Sequence, residues 1–415
     1  MCSKALEYLE NLQGLALFMD IDRGYNPSLR EINNLSKEIR QDLEEAFKEK
    51  YIGILFEHYR RQFKIIRNLE RAHLEHAKKN KEKYPLSKIK IDFAEMNELL
   101  NNPRPHSKFQ DFLVYSYLDS ISVEVLKAAS DIGIGINQKP LLGSIHTEKF
   151  NACAISIPES NESIILYESQ FFIIIGRFVK IIVQCFKDIS PLDKDFRVST
   201  DKQNILEIIN GDELIKSQFK DLVLGFILEK NVRETKSYAI REANNAIGNI
   251  LLEAIHFFVM GHEYGHIYMR HFDSCDIAQL QISNIMGHQM IPKWEEEFDA
   301  DKIGFYISIQ AMKNAGYKEE FSLIGASIFF SLCQLVDRAY CIKYNGHENF
   351  HELKGSHPPS SERINKIKTI LNDQFNNEQL ELALYLPTAI EEIVNLLWLE
   401  MKTELYDYYH SNSSN

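Results

Sequence analysis

The sequence lacks paired cysteines. Its six cysteines stand alone, with no C-x-x-C pair and no regular spacing. This pattern argues against a disulfide framework and against a cysteine-ligated zinc ribbon. Isolated thiols are typical of proteins in a reducing compartment, so we expect a cytoplasmic protein.

The sequence also lacks an excess of positive charge. It carries 47 Lys and Arg against 59 Asp and Glu, a formal net charge of -12. Because nucleic-acid backbones bind to positive surfaces, we expect no general nucleic-acid binding. Glycine and proline are scarce, with 18 and 11 residues, which excludes collagen-like and low-complexity chains. The 45% of hydrophobic residues instead supplies a large folded core.

A third absence is a long uninterrupted hydrophobic run. The first apolar stretch, Leu15–Met19, is too short for a signal peptide and follows acidic residues. Phe171–Phe186 is apolar but contains Arg177 and Lys180. Phe321–Val336 is uncharged but shorter than the roughly 20 residues that span a bilayer. We therefore interpret both longer stretches as buried core helices and expect no membrane span.

Two regions follow each other along the chain. Residues 1–105 alternate charged and apolar positions at helical spacing, which predicts an N-terminal helical region. Pro103 and Pro105 mark its end. A partner protein can bind through this region, although its basic run Ala77–Lys83 is more typical of a solvated helix terminus. Residues 106–415 form the second predicted domain.

The second domain combines helices with one short β segment. Phe150–Ile157 and Ile164–Tyr167 flank a turn-rich hexapeptide, which predicts a β-hairpin. A helix is expected from Asp111 to about residue 129. Lys187–Lys202 is polar, and residues 187–245 indicate an insertion or flexible connector with a helical middle. The predicted fold class is α+β, mainly α.

The segment that carries chemistry contains the pattern HEYGH. His262 and His266 are four residues apart, so both lie on one face of a helix and can reach the same zinc ion. Glu263 lies beside them, where it can bind a water on the metal and act as general base. Gly261 and Gly265 are unfavourable within a helix, which indicates that another backbone passes closely.

A second acidic pair follows in the sequence EFDAD. Glu297 and Asp301 are also four residues apart on one helix face. Since a catalytic zinc needs three protein ligands, Glu297 is the candidate third ligand. Asp301 can instead accept a hydrogen bond from a ligand histidine and fix its tautomer.

The remaining histidines carry weaker signals. His357 and Arg363 lie in the sequence SHPPSSERI, which predicts a loop and the start of a helix. Both can additionally reach the active site, as oxyanion-stabilising or gating residues. His256 and His271 are six residues before His262 and five after His266, so we interpret them as core or surface histidines.

These three motifs together resemble a known family. HEYGH, then EFDAD, then SHPPSSERI is similar to the gluzincin peptidases of the HtpX and CAAX-prenyl-protease type. The order of segments is also similar, more weakly, to the phage-exclusion peptidase Lit. The resemblance covers roughly residues 145–186 and 246–372, and it implies a zincin-like catalytic domain. Departures from the family are the missing membrane span, the short spacer from His266 to Glu297 and the inserted residues 187–245.

The resemblance further implies where substrate binds. The sequence FNACA is similar to the strand that lies beside the zinc site in that family. Asn151, Ala152 and Ala154 are then the expected substrate edge strand.

The sequence predicts a cytoplasmic zinc endopeptidase. One zinc ion per chain would be bound by His262, His266 and Glu297, with a protein or peptide as substrate. A non-catalytic metal-binding sensor on the same fold is the alternative, although a sensor has no need of Glu263. A purely structural helical protein, which would hold no metal, is a further alternative.

Overall fold

A computed structural model describes residues 3–23, 46, 49–62, a few positions up to 71, and most of 107–413. The gaps in the last range are 137, 146–149, 158–159, 193–194, 230–231, 233–234, 236–239, 272–293 and 350–356. The domain boundary predicted near residue 105 therefore lies outside the described residues.

A three-stranded sheet contains the predicted hairpin. Its strands are β1 (Leu141–Ile145), β2 (Ala152–Ser156) and β3 (Ser163–Glu168), in the order β1-β3-β2. β2 and β3 pair antiparallel, as predicted, whereas β1 pairs parallel to β3 and was not predicted. Among the described strands, β2 forms one edge of the sheet.

Helices occupy most of the remaining chain. They begin with α1 (Lys4–Arg23) and α2 (Phe112–Asp131), and α3 (Ser169–Gln184) directly follows the sheet. The Asp111 side chain caps α2 by accepting from Val114 N–H, which confirms the predicted helix start. The predicted insertion folds as a second hairpin, β4 (Lys187–Leu192) and β5 (Asp195–Ser199), followed by α4 (Lys202–Gly211) and α5 (Glu213–Ile227).

The central element of the fold is α6 (Glu242–Tyr268), which contains HEYGH. The helices that follow are α7 (Trp294–Asn314), α8 (Ser322–Asn345), α9 (Ser360–Gln374) and α10 (Asn377–Ser413). α6 contacts α7 most extensively, and it also packs against α8, α3, α2 and β2. All residues from Ile255 to His266 are buried, and none of those with a side chain is more than 7% exposed. α6 is therefore fixed from several sides by the apolar core.

Glycines set the distance between α6 and α7. A Cβ on Gly261 would lie 3.0 Å from the carbonyl oxygen of Gly304, and one on Gly265 would lie 2.9 Å from that of Ala300. A Cβ on Gly304 would lie only 2.6 Å from the backbone nitrogen of His262. The prediction of a close backbone beside both motif glycines is confirmed.

α1 covers the face of the sheet opposite the motif helices. Its residues Leu9 and Leu12 pack against Ile164 and Leu166 of β3 in a separate apolar cluster. In the first turn of α1, the Ala5 N–H donates to Glu162, which lies between β2 and β3. From Lys4 onward, the described residues of the N-terminal region are helical, and α1 packs onto the sheet of the second predicted domain.

Two described helices are long and apolar enough to cross a bilayer. They are α8 and α10, and the apolar stretch is 61% buried inside the protein in α8 and 53% in α10. Core helices of soluble proteins meet the same criterion. α8 is also longer than the sequence indicated, because it continues past Val336 to Asn345. The absence of a membrane span stays a prediction.

The contact between α6 and α8 can be tested at one glycine. A Cβ on Gly325 would lie 2.2 Å from the carbonyl oxygen of Ala254, so the helices would have to separate. We expect Gly325→Ala to lower the free energy of unfolding by about 1–3 kcal/mol. Gly176 in α3 has no neighbouring atom within 4 Å of an added Cβ, so Gly176→Ala should raise stability by up to about 1 kcal/mol. Urea unfolding followed by circular dichroism measures both, and a stable Gly325→Ala variant would contradict the packing.

Candidate metal centre

Three potential metal ligands converge between α6 and α7. His262 Nε2 and His266 Nε2 are 3.1 Å apart. Glu297 extends from the first turns of α7. Its Oε2 lies 3.7 Å from His262 Nε2, and its Oε1 lies 3.7 Å from His266 Nε2. One ligand atom from each residue lies within 4.8 Å of the others, and all three side chains are buried. The structure thus brings together the three predicted ligands.

The Glu297 carboxylate is buried beside basic side chains. The residue is 1% exposed, and within the described chain its oxygens make ion-pair contacts with His357 and Arg363 but accept no well-aligned hydrogen bond. A buried carboxylate is costly unless it is paired or coordinates a metal. The nitrogen–oxygen donor set of two imidazoles and one carboxylate is the set that zinc accepts. The residues present therefore fit a zinc ion.

The outer nitrogen of His262 is held by a buried ion pair. Asp301, one turn after Glu297, places Oδ1 2.9 Å from His262 Nδ1. Arg363 on α9 donates from Nε and Nη2 to the same carboxylate, at 2.7 and 2.6 Å. Its guanidinium also lies 4.7 Å from the ring centre of Phe330. Both carboxylate oxygens of Asp301 are thus occupied, and His262 can turn only its Nε2 towards Glu297.

Arg363 therefore acts on the site from behind. It is 7% exposed, and Nη2 lies 3.3 Å from Glu297 Oε2 as well as against Asp301. One positive charge thus faces two buried carboxylates. A guanidinium that is already engaged with Asp301 is placed to fix the ligands rather than to contact a substrate.

His357 has a different position. Its Nδ1 lies 3.0 Å from Glu297 Oε1, and its side chain is 47% exposed. The structure thus brings both residues of the third motif to the centre, His357 from the solvent side and Arg363 from the interior.

Glu263 lies beside the ligands and contacts the sheet. It is 4% exposed, and burial raises the pKa of Glu263. The charge of His262 lowers this pKa and the charge of Glu297 raises it, and the overall shift is upward. The backbone N–H of Ala154 in β2 also acts on the carboxylate, which slightly lowers its pKa. A carboxylate with a raised pKa is a better proton acceptor at neutral pH. The residue is thus suited to a general base and lies beside the edge strand.

The pKa values of the two ligand histidines are shifted in opposite directions. Burial, assisted by His262, lowers the pKa of His266 to about 3, so its ring is neutral and has a lone pair to donate. Burial alone would also lower the pKa of His262, but the hydrogen bond and charge of Asp301 raise it overall. Burial would raise the pKa of Glu297, but His357, His262 and Arg363 hold it below its usual range.

Tyr264, the third residue of HEYGH, fixes the rotation of α6. Its ring is fully buried, and its hydroxyl lies 2.8 Å from Ser122 Oγ on α2. No local sequence pattern indicates this contact, because the two residues are 142 positions apart. Their contact turns the opposite side of α6, which carries His262 and His266, towards α7.

The other two histidines near the motif have separate positions. His256 is a core residue, as predicted, with its ring packed against Tyr117 and Phe172. His271 is not directed away from the site, contrary to the sequence interpretation. α6 ends at Tyr268, and the chain turns back so that His271 Nδ1 lies 2.9 Å from His266 Nδ1.

The buried ion pair can be tested against an exposed one. Arg363→Gln leaves Asp301 and Glu297 without their shared cation, so the free energy of unfolding should fall by about 3–5 kcal/mol. Arg60, which is 70% exposed and pairs with Glu57 at 2.6 Å, supplies the matched control. Arg60→Gln should change stability little, since water and salt screen that pair. Urea unfolding of the metal-free variants measures both, and equal effects would contradict the role assigned to Arg363.

Comparison with known proteins identifies one family. The model of peptidase family M48 matches residues 249–371, the segment that contains HEYGH, EFDAD and Arg363. No curated protein and no solved structure matches the chain. Members of family M48 are zinc-dependent metallopeptidases, which agrees with the buried cluster of two histidines and one glutamate. In residues 249–371, this chain is similar to the metallopeptidases of family M48.

Proposed function

We propose that the protein is a zinc-dependent endopeptidase in which Glu263 is the general base. The observation that carries the proposal is the convergence of His262, His266 and Glu297, with a buried carboxylate beside them. The similarity to family M48 supports a peptidase. The HtpX or CAAX-prenyl-protease subtype remains part of the proposal, as does a cytoplasmic location, for which isolated cysteines are the support.

The ligands are prepared for a metal by their surroundings. His262 and His266 would bind it through Nε2 and Glu297 through its carboxylate, because these are the atoms that face one another. Bound there, zinc supplies Lewis acidity that polarises a carbonyl and lowers the pKa of water towards neutrality. Arg363 and Asp301 hold the ligand cluster in place from behind.

Glu263 performs the proton transfer. It takes the proton of the attacking water and later delivers it to the leaving amine, as a base of raised pKa can do. The Ala154 N–H acts on its carboxylate and favours the charged form. Burial at 4% exposure keeps bulk water from competing for the same oxygens.

The edge of β2 that has no strand partner among the described residues is the proposed binding site for the substrate main chain. Glu168 N–H donates to Asn151 O, and Ile157 N–H donates to Glu162 O. In this antiparallel pairing, the backbone N–H and C=O groups of the odd-numbered residues in and beside β2 point towards β3. The backbone groups of Ala152, Ala154 and Ser156 therefore face outward. An extended peptide can pair with these groups as an added strand, which selects main chain more than side chains. Asn151, named in the sequence analysis, has its carbonyl turned inward.

Substitution of Glu263 separates catalysis from metal binding. Glu263→Gln should keep about one zinc per chain, because Glu263 is not a ligand, while cleavage of casein falls by at least roughly 100-fold. His262→Ala should lose most of the zinc. Elemental analysis of protein purified without chelator, together with a fluorescent casein assay, measures both.

Two outcomes would contradict these assignments. Loss of zinc from Glu263→Gln would mean that Glu263 is a ligand. Full zinc content in a His262→Ala, Glu297→Ala double variant would exclude the ligand set. A wild-type protein that binds one zinc and cleaves no protein would instead favour the metal-binding sensor.

Substitution of Ala154 tests the edge strand. Ala154→Pro removes an outward N–H, which an edge strand tolerates, but this N–H acts on Glu263, and proline distorts the edge of β2. We expect zinc content near wild type and loss of casein cleavage. Circular dichroism verifies the fold.

Matched variants isolate the N–H. Ala154→Ser keeps the N–H and should retain activity. Cys153→Pro removes an N–H that faces β3 and should destabilise the sheet instead. A folded, zinc-loaded Ala154→Pro variant that cleaves casein at the normal rate would refute the edge-strand proposal.

A further inference from the structure

The chain reverses sharply after the motif helix. Arg270 N–H donates to Ile267 O at 3.2 Å, and His271 N–H donates to His266 O at 3.2 Å. These two bonds, one inside the other, are those of a Schellman cap. Arg270 is the left-handed residue of this cap, with φ 54°. His271 is thereby brought back over the last turn of α6.

This cap departs from the usual pattern at two positions. Glycine normally takes the left-handed position, and Arg270 is the one non-glycine residue with positive φ in the described part of the chain. An apolar contact normally joins the two residues linked by the outer hydrogen bond. Here those residues are His266 and His271, so two imidazoles replace the apolar pair.

The two rings meet through nitrogen atoms. His266 Nδ1 and His271 Nδ1 are 2.9 Å apart, and the ring planes are inclined at 73°. This distance is that of a hydrogen bond, and the inclination excludes stacking. Asp301 Oδ1 lies at the same distance, 2.9 Å, from His262 Nδ1. Each ligand histidine thus has an acceptor behind the nitrogen that faces away from Glu297.

We propose that His271 is the positioning residue of the second zinc ligand. His266 donates its Nδ1–H to His271 Nδ1, which leaves the His266 Nε2 lone pair for the metal. His271 keeps its own proton on Nε2. This arrangement selects one tautomer of His266 and fixes the ring orientation, as an acceptor behind a ligand histidine does. The inference rests on the proposed zinc site, and its test uses metal binding rather than catalysis.

Two substitutions distinguish the acceptor from the ring. His271→Phe keeps a ring but removes the acceptor, so zinc affinity should fall roughly 10- to 100-fold. His271→Asn places an amide oxygen near the position of Nδ1 and should restore most of the affinity. Zn²⁺ is titrated into chelator-treated protein against a chromophoric competitor. Co²⁺ absorption spectra report whether the ligand geometry changes.

Two control variants accompany them. His410→Asn removes an exposed imidazole on α10 and should leave zinc affinity unchanged. Arg270→Gly keeps the left-handed backbone without the side chain, so zinc affinity should also stay near wild type. Thermal unfolding of all metal-free variants shows whether a loss of affinity follows from loss of fold.

A measurement on the wild type needs no variant. In zinc-loaded protein with ¹⁵N-labelled histidine, a hydrogen bond between the two Nδ1 atoms gives a ¹⁵N–¹⁵N coupling between His266 and His271. Absence of that coupling would overturn the proposal. Wild-type zinc affinity in His271→Phe would also overturn it, as would equal losses in His271→Phe and His271→Asn. Failure of the wild type to bind zinc would instead contradict the proposed zinc site.

Discussion

The close packing of α6 against α7 is the constraint on which the candidate centre depends. Gly261 and Gly265 face Gly304 and Ala300 with no room for a side chain between them. Imidazole and carboxylate side chains have fixed reach, so the two helix backbones must approach this closely for His262 and Glu297 to share one ion. The same close approach removes water from the interface. Burial of the ligands and their convergence are therefore one consequence of backbone packing.

Charge at this interface must be balanced because water is excluded. Glu297 and Asp301 are 1% and 2% exposed, and Glu263 is 4% exposed. Arg363, on a third helix (α9), compensates part of this negative charge. The two ligand imidazoles lie beside the carboxylates of Glu297 and Asp301. A divalent cation would add the remaining positive charge between α6 and α7. Metal affinity and the stability of the helix packing are accordingly linked through the same carboxylates.

Local spacing made part of the site predictable. The four-residue steps from His262 to His266 and from Glu297 to Asp301 assign shared helix faces without any knowledge of the fold, and the alternation around Ala154 predicts a strand. Contacts between distant segments left no such pattern. Tyr264 meets Ser122, and Arg363 meets Asp301, only because of tertiary packing. His271 was misinterpreted for a related reason, since a helix was extended through Arg270 where the backbone becomes left-handed. β1 is short and pairs only through a parallel crossover, which sequence alternation does not reveal.

In the proposed pairing of a peptide with β2, the influence of Ala154 N–H on Glu263 bears on how the peptide is aligned. Of the outward groups of β2, this is the N–H that acts on the carboxylate. A peptide added at the edge then has full donor and acceptor partners only at Ala152 and Ser156, which are separated by four residues or roughly 13 Å of extended chain. Between these two attachment points the ladder is incomplete, and a peptide displaced by one or two residues loses an attachment at one end. The carboxylate that receives the proton would in this way also set the register of the peptide it acts on.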